Sequence, residues 1–443
     1  MNRAFLTLAL LVGVLSTSVV QAQSNKKELT LTLDEAVQLA LSDNPTIKVA
    51  ELEVERYDYV RKATFGSLLP QLSVDGVLHH TIKNQSVAKG FSLGSDGYNT
   101  ISATANLTVP LYVPAVYRAL KLNTTQAEAA VESARSSKID MVAAVKDGFY
   151  NVLIAQKSLE VLEESAQMAQ KTVNDTEVMF DNGIVAEYDL LTAQVQYSNL
   201  QPTIIQTRSA IDIAKQVMKM YLSLPEQVEL TVVGDLDDIY AQVAHDINNL
   251  STDISNNTSM RSLELNRQML QQQLRISNSS RLPTLAAYGS LALSGNNTDM
   301  SSFTGIVSNG YFWQTPSSVG LSLSVPIFAG FTNTNNARSI KNQIAQLDAN
   351  TLYTEESLSV SVSSAISNIH TAGQTLVAQQ TTAAQAHKAY EISLSRYNAG
   401  AGTILELNSS QLSMTQAELN LSQAMYDLLT AKSEYDRIIG VEE

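Results

Sequence analysis

The chain has 443 residues, with 29 Lys+Arg against 43 Asp+Glu for a formal net charge of −14, and it contains no cysteine. The missing cysteine excludes a disulfide framework, a thiolate zinc site, a Cys nucleophile and a lipidated N-terminal Cys, and the acidic balance argues against nucleic acid as the main partner. Only 16% of residues are charged while 44% are hydrophobic; Ser, Thr, Asn, Gln and Ala fill the difference, which is unlike the composition of solvated disorder.

Residues 1–22 read as an export signal. Arg3 is the basic start, Ala4 to Val14 is an apolar run too short to span a bilayer, and Val20-Gln21-Ala22 is a cleavage site with Gln23 as the mature start. Two strands are expected next, at about 70–82 and 99–110. In the second, Ile101, Ala103, Ala105, Leu107 and Val109 alternate with Thr100, Ser102, Thr104, Asn106 and Thr108, and period two puts the two sets on opposite faces. The Gly-, Ser- and Asn-rich stretch 83–97 between them is expected as a loop.

Residues 116–180 contain no Pro and a single Gly, Gly148, so they are predicted as one helix of about 100 Å. After a turn at Gly183 a second helix is expected at 187–222. Leu190, Tyr197, Ile204, Ile211 and Met218 recur there at every seventh residue, with Ala193, Leu200, Thr207, Ala214 and Tyr221 three residues on; that is a coiled-coil seam. Pro202 interrupts it and should kink or loosen the helix. Residues 226–255 connect to a second unit, with a short β-like run at 228–233 and a short helix near 235–249.

The second unit repeats the first. Strands are expected at about 283–294 and 317–327, joined by a polar loop at 295–316, and long helices at about 333–397 and 404–439. Leu-Pro-Gln-Leu at 69–72 returns as Leu-Pro-Thr-Leu at 282–285, Leu-Thr-Val-Pro-Leu-Tyr at 107–112 as Leu-Ser-Val-Pro-Ile-Phe at 323–328, and the Gly183 turn as the Gly400 turn. The heptads of the return helix recur as Leu407, Met414, Leu421, Leu428 and Tyr435. The expected organisation is therefore a signal (1–22), a first repeat (23–225), a linking segment (226–255) and a second repeat (256–443). The fold class is mainly α with a β-barrel part. Four strands per chain are too few for a spanning barrel, whose small end is about eight, so a barrel requires an oligomer. Aromatics near the strand ends, among them Tyr98, Tyr112, Trp313, Phe328 and Phe331, suit an interfacial girdle.

No enzyme signature is present. His79 and His80 are neighbours on a strand and point to opposite faces, the other three His are scattered, and no Gly-rich phosphate loop opens a helix; no cofactor and no metal are expected, and the energy for any transport must come from partners.

From Leu31 to Gly440 these residues resemble the TolC-like outer-membrane efflux proteins. Leu-Thr-Leu-Asp-Glu-Ala-Val-Gln-Leu-Ala-Leu before Asn44-Pro45 is similar to the family's N-terminal helix pair. Phe180-Asp-Asn-Gly-Ile-Val and Tyr397-Asn-Ala-Gly-Ala-Gly look like its two helix-tip turns. The resemblance implies a homotrimer whose three chains complete a 12-stranded barrel in outer-membrane lipid of a Gram-negative bacterium, continued by a periplasmic tunnel of coiled helices. It implies a passive duct working with a periplasmic adaptor (membrane fusion) protein and an inner-membrane pump of the resistance-nodulation-division or ABC type. Gly183 and Gly400 would mark the tips that meet the adaptor. By the same resemblance Asp189 falls on a lock acid, Tyr397 on a lock tyrosine and Glu406 on a ring acid of the periplasmic gate. Gly402 stands where some members carry a lock arginine and Ser409 where they carry a second ring acid, so a single acidic ring is expected. For Asp189 and Glu406 the alternative is plain helix capping, since a carboxylate gains at a helix N-terminus. The competing reading of the whole chain is a periplasmic coiled-coil adaptor or scaffold without a pore.

Overall fold

The computed structural model describes residues 28–88, 91–247, 250–297 and 311–442; the expected signal at 1–22, part of the 295–316 connection and the side chain of Tyr98 lie outside the described set. In chain order the first half comprises β1 (Glu28–Leu31), α1 (Leu33–Asp43), α2 (Pro45–Gly66), β2 (Gln71–Ala88), β3 (Phe91–Tyr112), α3 (Pro114–Asp181) and α4 (Glu187–Tyr221). Then β4 (Glu229–Val232) and α5 (Leu236–Asp246) lead to α6 (Thr258–Ser279), β5 (Thr284–Asn297), β6 (Phe312–Gln314), β7 (Ser317–Ser324), α7 (Thr332–Asn398) and α8 (Ile404–Ile439).

The two outgoing helices are 68 and 67 residues long, about 100 Å each, and both run on through their single internal glycine. A helix of that length is held by packing rather than propensity, and the heptads supply it. Ala193, Leu200, Ile204, Ile211, Ala214 and Met218 of α4 are buried, as are Leu407, Met414, Ala417, Ala424, Leu428 and Tyr435 of α8. α4 also runs on through Pro202, whose ring lies on the exposed side; the missing amide there removes only a bond to a solvent-facing carbonyl.

The larger sheet has the order β2-β3-β5, with β7 and the short β6 end to end along the far edge of β5. The 83–97 stretch expected as a loop instead continues the ladder, with Lys83 opposite Asp96 and Ala88 opposite Phe91. Backbone pairing satisfies its amides, and polar side chains do not oppose it. β7 stops at Ser324, short of Pro326, which has no amide to donate. The register aligns the faces across the sheet. Leu72, Leu107, Gly289 and Val319 form one row, and Ser73, Asn106, Ser290 and Ser318 form a row on the other face. Polar rows are knitted by side-chain bonds: Asn106 Nδ2 donates to Asp75 at 3.0 Å, and the Ser290 and Ser318 hydroxyls are 2.9 Å apart. The apolar face has no cover: Leu72 is 73% exposed and Val319 is 88% exposed.

The main core sits midway along the helices. Phe149, Met218, Leu222, Leu230, Ile369, Leu428 and Leu429 meet there, beside a parallel pairing of β1 with β4. The repeat is visible in one fixture made twice. Asn44 caps α2 through the Thr46 amide (2.8 Å) and donates to Tyr221 O at the end of α4 (2.7 Å). Asn257 caps α6 through the Ser259 amide (2.9 Å) and donates to Ile438 O at the end of α8 (2.7 Å).

Candidate functional site: the helix tips

Each long helix ends in the same turn. Gly183 has φ +70° and Gly400 φ +71°, a left-handed conformation that glycine adopts without a Cβ penalty. Gly183 and Ile184 donate to Phe180 O (2.8 Å) and Met179 O (2.8 Å). Gly400 and Ala401 donate to Tyr397 O (2.9 Å) and Arg396 O (2.8 Å). This double closure satisfies carbonyls that a helix end leaves open. A Cβ at either glycine would meet nothing within 4 Å, so backbone handedness alone asks for glycine.

The return helices start differently. The Ala186 amide donates to Asp189 Oδ2 at 3.3 Å while the Asp189 amide donates to Ala186 O at 3.0 Å; Asp189 closes the first turn of its own helix. Glu406 is not used that way. Thr403 caps α8, its Oγ1 accepting from the Glu406 amide at 3.2 Å. The exposed Glu406 carboxylate faces Arg396, with Oε2 3.7 Å from Nη2, and the same guanidinium nitrogen donates to Ala401 O at 3.1 Å. Arg396 escaped the sequence reading because it stands ten residues before Glu406; the glycine turn folds the two together. The second tip thus carries a cation beside its acid.

Tyr397 is buried among Val173, Tyr390, Ile404, Leu407 and Met414. Its hydroxyl shares a 2.9 Å hydrogen bond with Thr176 Oγ1 of α3, so this tyrosine ties the two halves of one chain together. The structure brings Tyr397 to Thr176 and Glu406 to Arg396, and leaves Asp189 on its own helix start. Apolar side chains crown the tips, with Ile184, Tyr188 and Leu405 all exposed.

Higher along the tube a second polar contact joins the halves. Gln411 Nε2 donates to Ser165 O at 2.8 Å and Thr415 Oγ1 to Ser165 Oγ at 2.8 Å, all three residues buried. Higher still, burial pushes the Asp147 carboxyl above the usual carboxylate range; nearby Glu434 adds to this and Arg437 opposes it. Among the described residues no group of three or more His, Asp or Glu is placed to hold a metal, and no helix is long and apolar enough to cross a membrane.

A sequence model of the family described as outer membrane efflux protein matches residues 36–216 and 249–441. The chain is 22% identical over 414 residues to the outer membrane protein TolC of Escherichia coli (strain K12), covering 92% of this chain and 82% of that protein. It is 22% identical over 428 residues to the alkaline protease secretion protein AprF of Pseudomonas aeruginosa, covering 93% and 85%. Its fold is similar to the crystal structure of the Campylobacter jejuni CmeC outer membrane channel, with a TM-score of 0.70 at 16% identity over 92% of this chain and 85% of that one.

Proposed function

The chain belongs to the outer membrane efflux protein family and is an outer-membrane channel of an efflux or secretion system; from that premise we propose that three copies form a passive duct and that the helix tips are its periplasmic mouth. The observation that carries the threefold reading is the sheet. One face is apolar and uncovered, the other is polar, and the outer edges of β2 and β7 have no strand partner among the described residues. Unpaired edges cannot stand in lipid, where every backbone group must be satisfied internally. Three sheets joined edge to edge close a barrel of about twelve strands, apolar outside and lined by Ser, Thr and Asn within.

At the mouth, three Glu406 carboxylates would converge as the ring acid, each with Arg396 at its side, so the ring alternates in sign. Tyr397 would hold the closed form through Thr176, and Asp189 would be the acid of the closing contact. The tips at Gly183 and Gly400, with Ile184, Tyr188 and Leu405 exposed, offer an apolar surface to the helical hairpins of a periplasmic adaptor. The energy would come from an inner-membrane pump of the resistance-nodulation-division or ABC type.

The test is the mass and conductance of the purified protein. A species of three chains that opens steady channels in a planar bilayer is the expected result; a single chain without conductance would favour the scaffold.

A further inference from the structure

Two glycines of the larger sheet lie under aromatic rings. A Cβ on Gly320 of β7 would stand 2.7 Å from Tyr288 Oη, 2.8 Å from Cζ and 2.9 Å from Cε1 of the same ring. A Cβ on Gly295 of β5 would stand 3.0 Å from Cε3 and Cζ3 of Trp313. Each ring comes from the residue directly opposite, for Tyr288 pairs with Gly320 and Trp313 with Gly295. Gly289 differs: a Cβ there would make only ordinary contact, with Val319 at 3.7 Å. Glycine weakens a strand interior, because it brings backbone freedom and no side chain to pack. A ring laid over it supplies the missing contact.

The two recesses face opposite ways. Gly295 is in step with Gly289 on the apolar face, while Tyr288 and Gly320 share a row with Gln71 and Thr108 on the polar face. A strand side chain ordinarily stands roughly perpendicular to its sheet, which would aim the Tyr288 ring straight out from the polar face. Gly320 lets the ring lie down across β7 instead.

We propose that Gly320 sets the free width of the duct at this level: it is the recess in which the Tyr288 ring is stowed against the bore wall. This rests on the threefold barrel above and adds the residue that decides which solutes clear the barrel by size. Three copies place three such rings around the bore. With a Cβ at position 320 each ring loses its recess. The wall on either side is filled by Ser318 and Ser322 of β7 and by Thr108 of β3, so the ring turns up into the bore. The colliding atoms are the far end of the side chain, and a change of rotamer relieves them without moving the backbone.

The chain has no cysteine, so one introduced thiol reports access. Ser324→Cys lies on the polar face four residues from Gly320 toward the helices, about 13 Å away. Ser294→Cys lies on the same face six residues from Tyr288 in the other direction, about 20 Å away. Maleimides carrying polyethylene glycol of graded length are added outside intact cells that display the full-length protein. Gly320→Ala should slow labelling of the Ser324→Cys thiol roughly tenfold for the longest reagents that pass the native barrel, because pore diameter sets what enters. Labelling of the Ser294→Cys thiol should not change, and Tyr288→Ala added to Gly320→Ala should restore the native rate. Both thiols lie on the barrel side of the helix tips, so the state of the mouth does not enter the measurement. If native mass shows three chains but Gly320→Ala leaves the Ser324→Cys rate unchanged, the recess proposal falls while the assembly stands. If Gly320→Ala fails to assemble, with or without Tyr288→Ala, the glycine serves the sheet itself and the proposal is overturned. If native mass shows one chain, the assembly and the recess both fall.

Discussion

The Tyr397 hydroxyl and Thr176 Oγ1 lie 2.9 Å apart inside the tip, one at the end of the second repeat's outgoing helix and the other at the end of the first's. Either group left alone there is a buried polar atom without a partner, which costs about 1–3 kcal/mol. Tyr397→Phe and Thr176→Val should each lower stability by about that much, and the double variant should lose less than the sum of the two. Chemical denaturation of the four proteins measures the coupling; strict additivity would mean that the bond does not join the halves.

If the helix tips are the periplasmic mouth as proposed, the Arg396–Glu406 pair should tune ion selectivity there. With Arg396 beside Glu406, the native channel should show weak cation preference, because fixed charges near a constriction select ions by their sum. Arg396→Gln should shift the reversal potential toward cations and lower the concentration of a multivalent cation that blocks from the periplasmic side. Glu406→Gln should shift it toward anions. Asp189→Asn should raise open probability if the carboxylate closes the gate; if it only caps α4, the change should be a stability loss of about 0.3–1 kcal/mol. Single-channel recordings separate these outcomes, and identical reversal potentials in all three variants would remove the mouth assignment.

Leu107→Arg or Leu323→Arg places a charge on the uncovered apolar face and should destabilise the assembled barrel by about 2–4 kcal/mol near the bilayer midplane. Thr104→Arg and Ser322→Arg fall on the polar face and should be mild. Heat resistance of the assembled species reads the difference, and equal losses on the two faces would reverse the orientation of the sheet.

A Cβ at Gly183 or Gly400 meets nothing within 4 Å, so the main cost of Gly183→Val and Gly400→Val is the left-handed backbone, about 1–2 kcal/mol each. That strain is local to the tips. If the tips are the proposed adaptor contact, barrel assembly should survive while substrate export in cells falls sharply. Unchanged export with both replaced would reject the tips as the contact.

Asp147 carries a raised pKa, chiefly from burial. A carboxyl whose folded-state pKa lies above its unfolded value holds its proton more tightly when folded, so it destabilises the fold once ionised. Asp147→Asn should therefore be more stable than the native chain at pH 7. The advantage should shrink as pH falls through the raised folded pKa toward the ordinary carboxylate range. Thermal melts of both proteins from pH 7 to pH 4 give the difference, and a pH-independent gap would assign the effect to packing.

Periodicity made the long helices and their first seam legible: the sevenfold spacing of Ile204, Ile211 and Met218, and of Leu407, Met414 and Leu428, places those residues in the core. The second buried stripe of α8 was invisible because Asn408, Gln411, Thr415 and Ser422 carry no hydrophobic signal. The strand extensions through 83–97 were hidden for the related reason that Gly, Ser and Asn mark a loop only when nothing pairs with their backbone. At the tips, equal spacing from Gly183 and Gly400 put Asp189 and Glu406 in equivalent positions. Their different roles depend on Thr403 taking over the cap at one tip and Arg396 reaching across the turn, neither of which spacing encodes.

The parallel pairing of β1 with β4 has a consequence for the order in which the molecule is made. Glu28–Leu31 leaves the ribosome near the beginning, and its strand partner among the described residues, Glu229–Val232, follows after the whole first repeat. A contact of such sequence separation forms slowly, so this pairing is expected to follow the local packing of α3 on α4. The N-terminal strand can be fastened once β4 has been made, but the core beside it is complete only when Ile369, Leu428 and Leu429 of the second repeat have arrived.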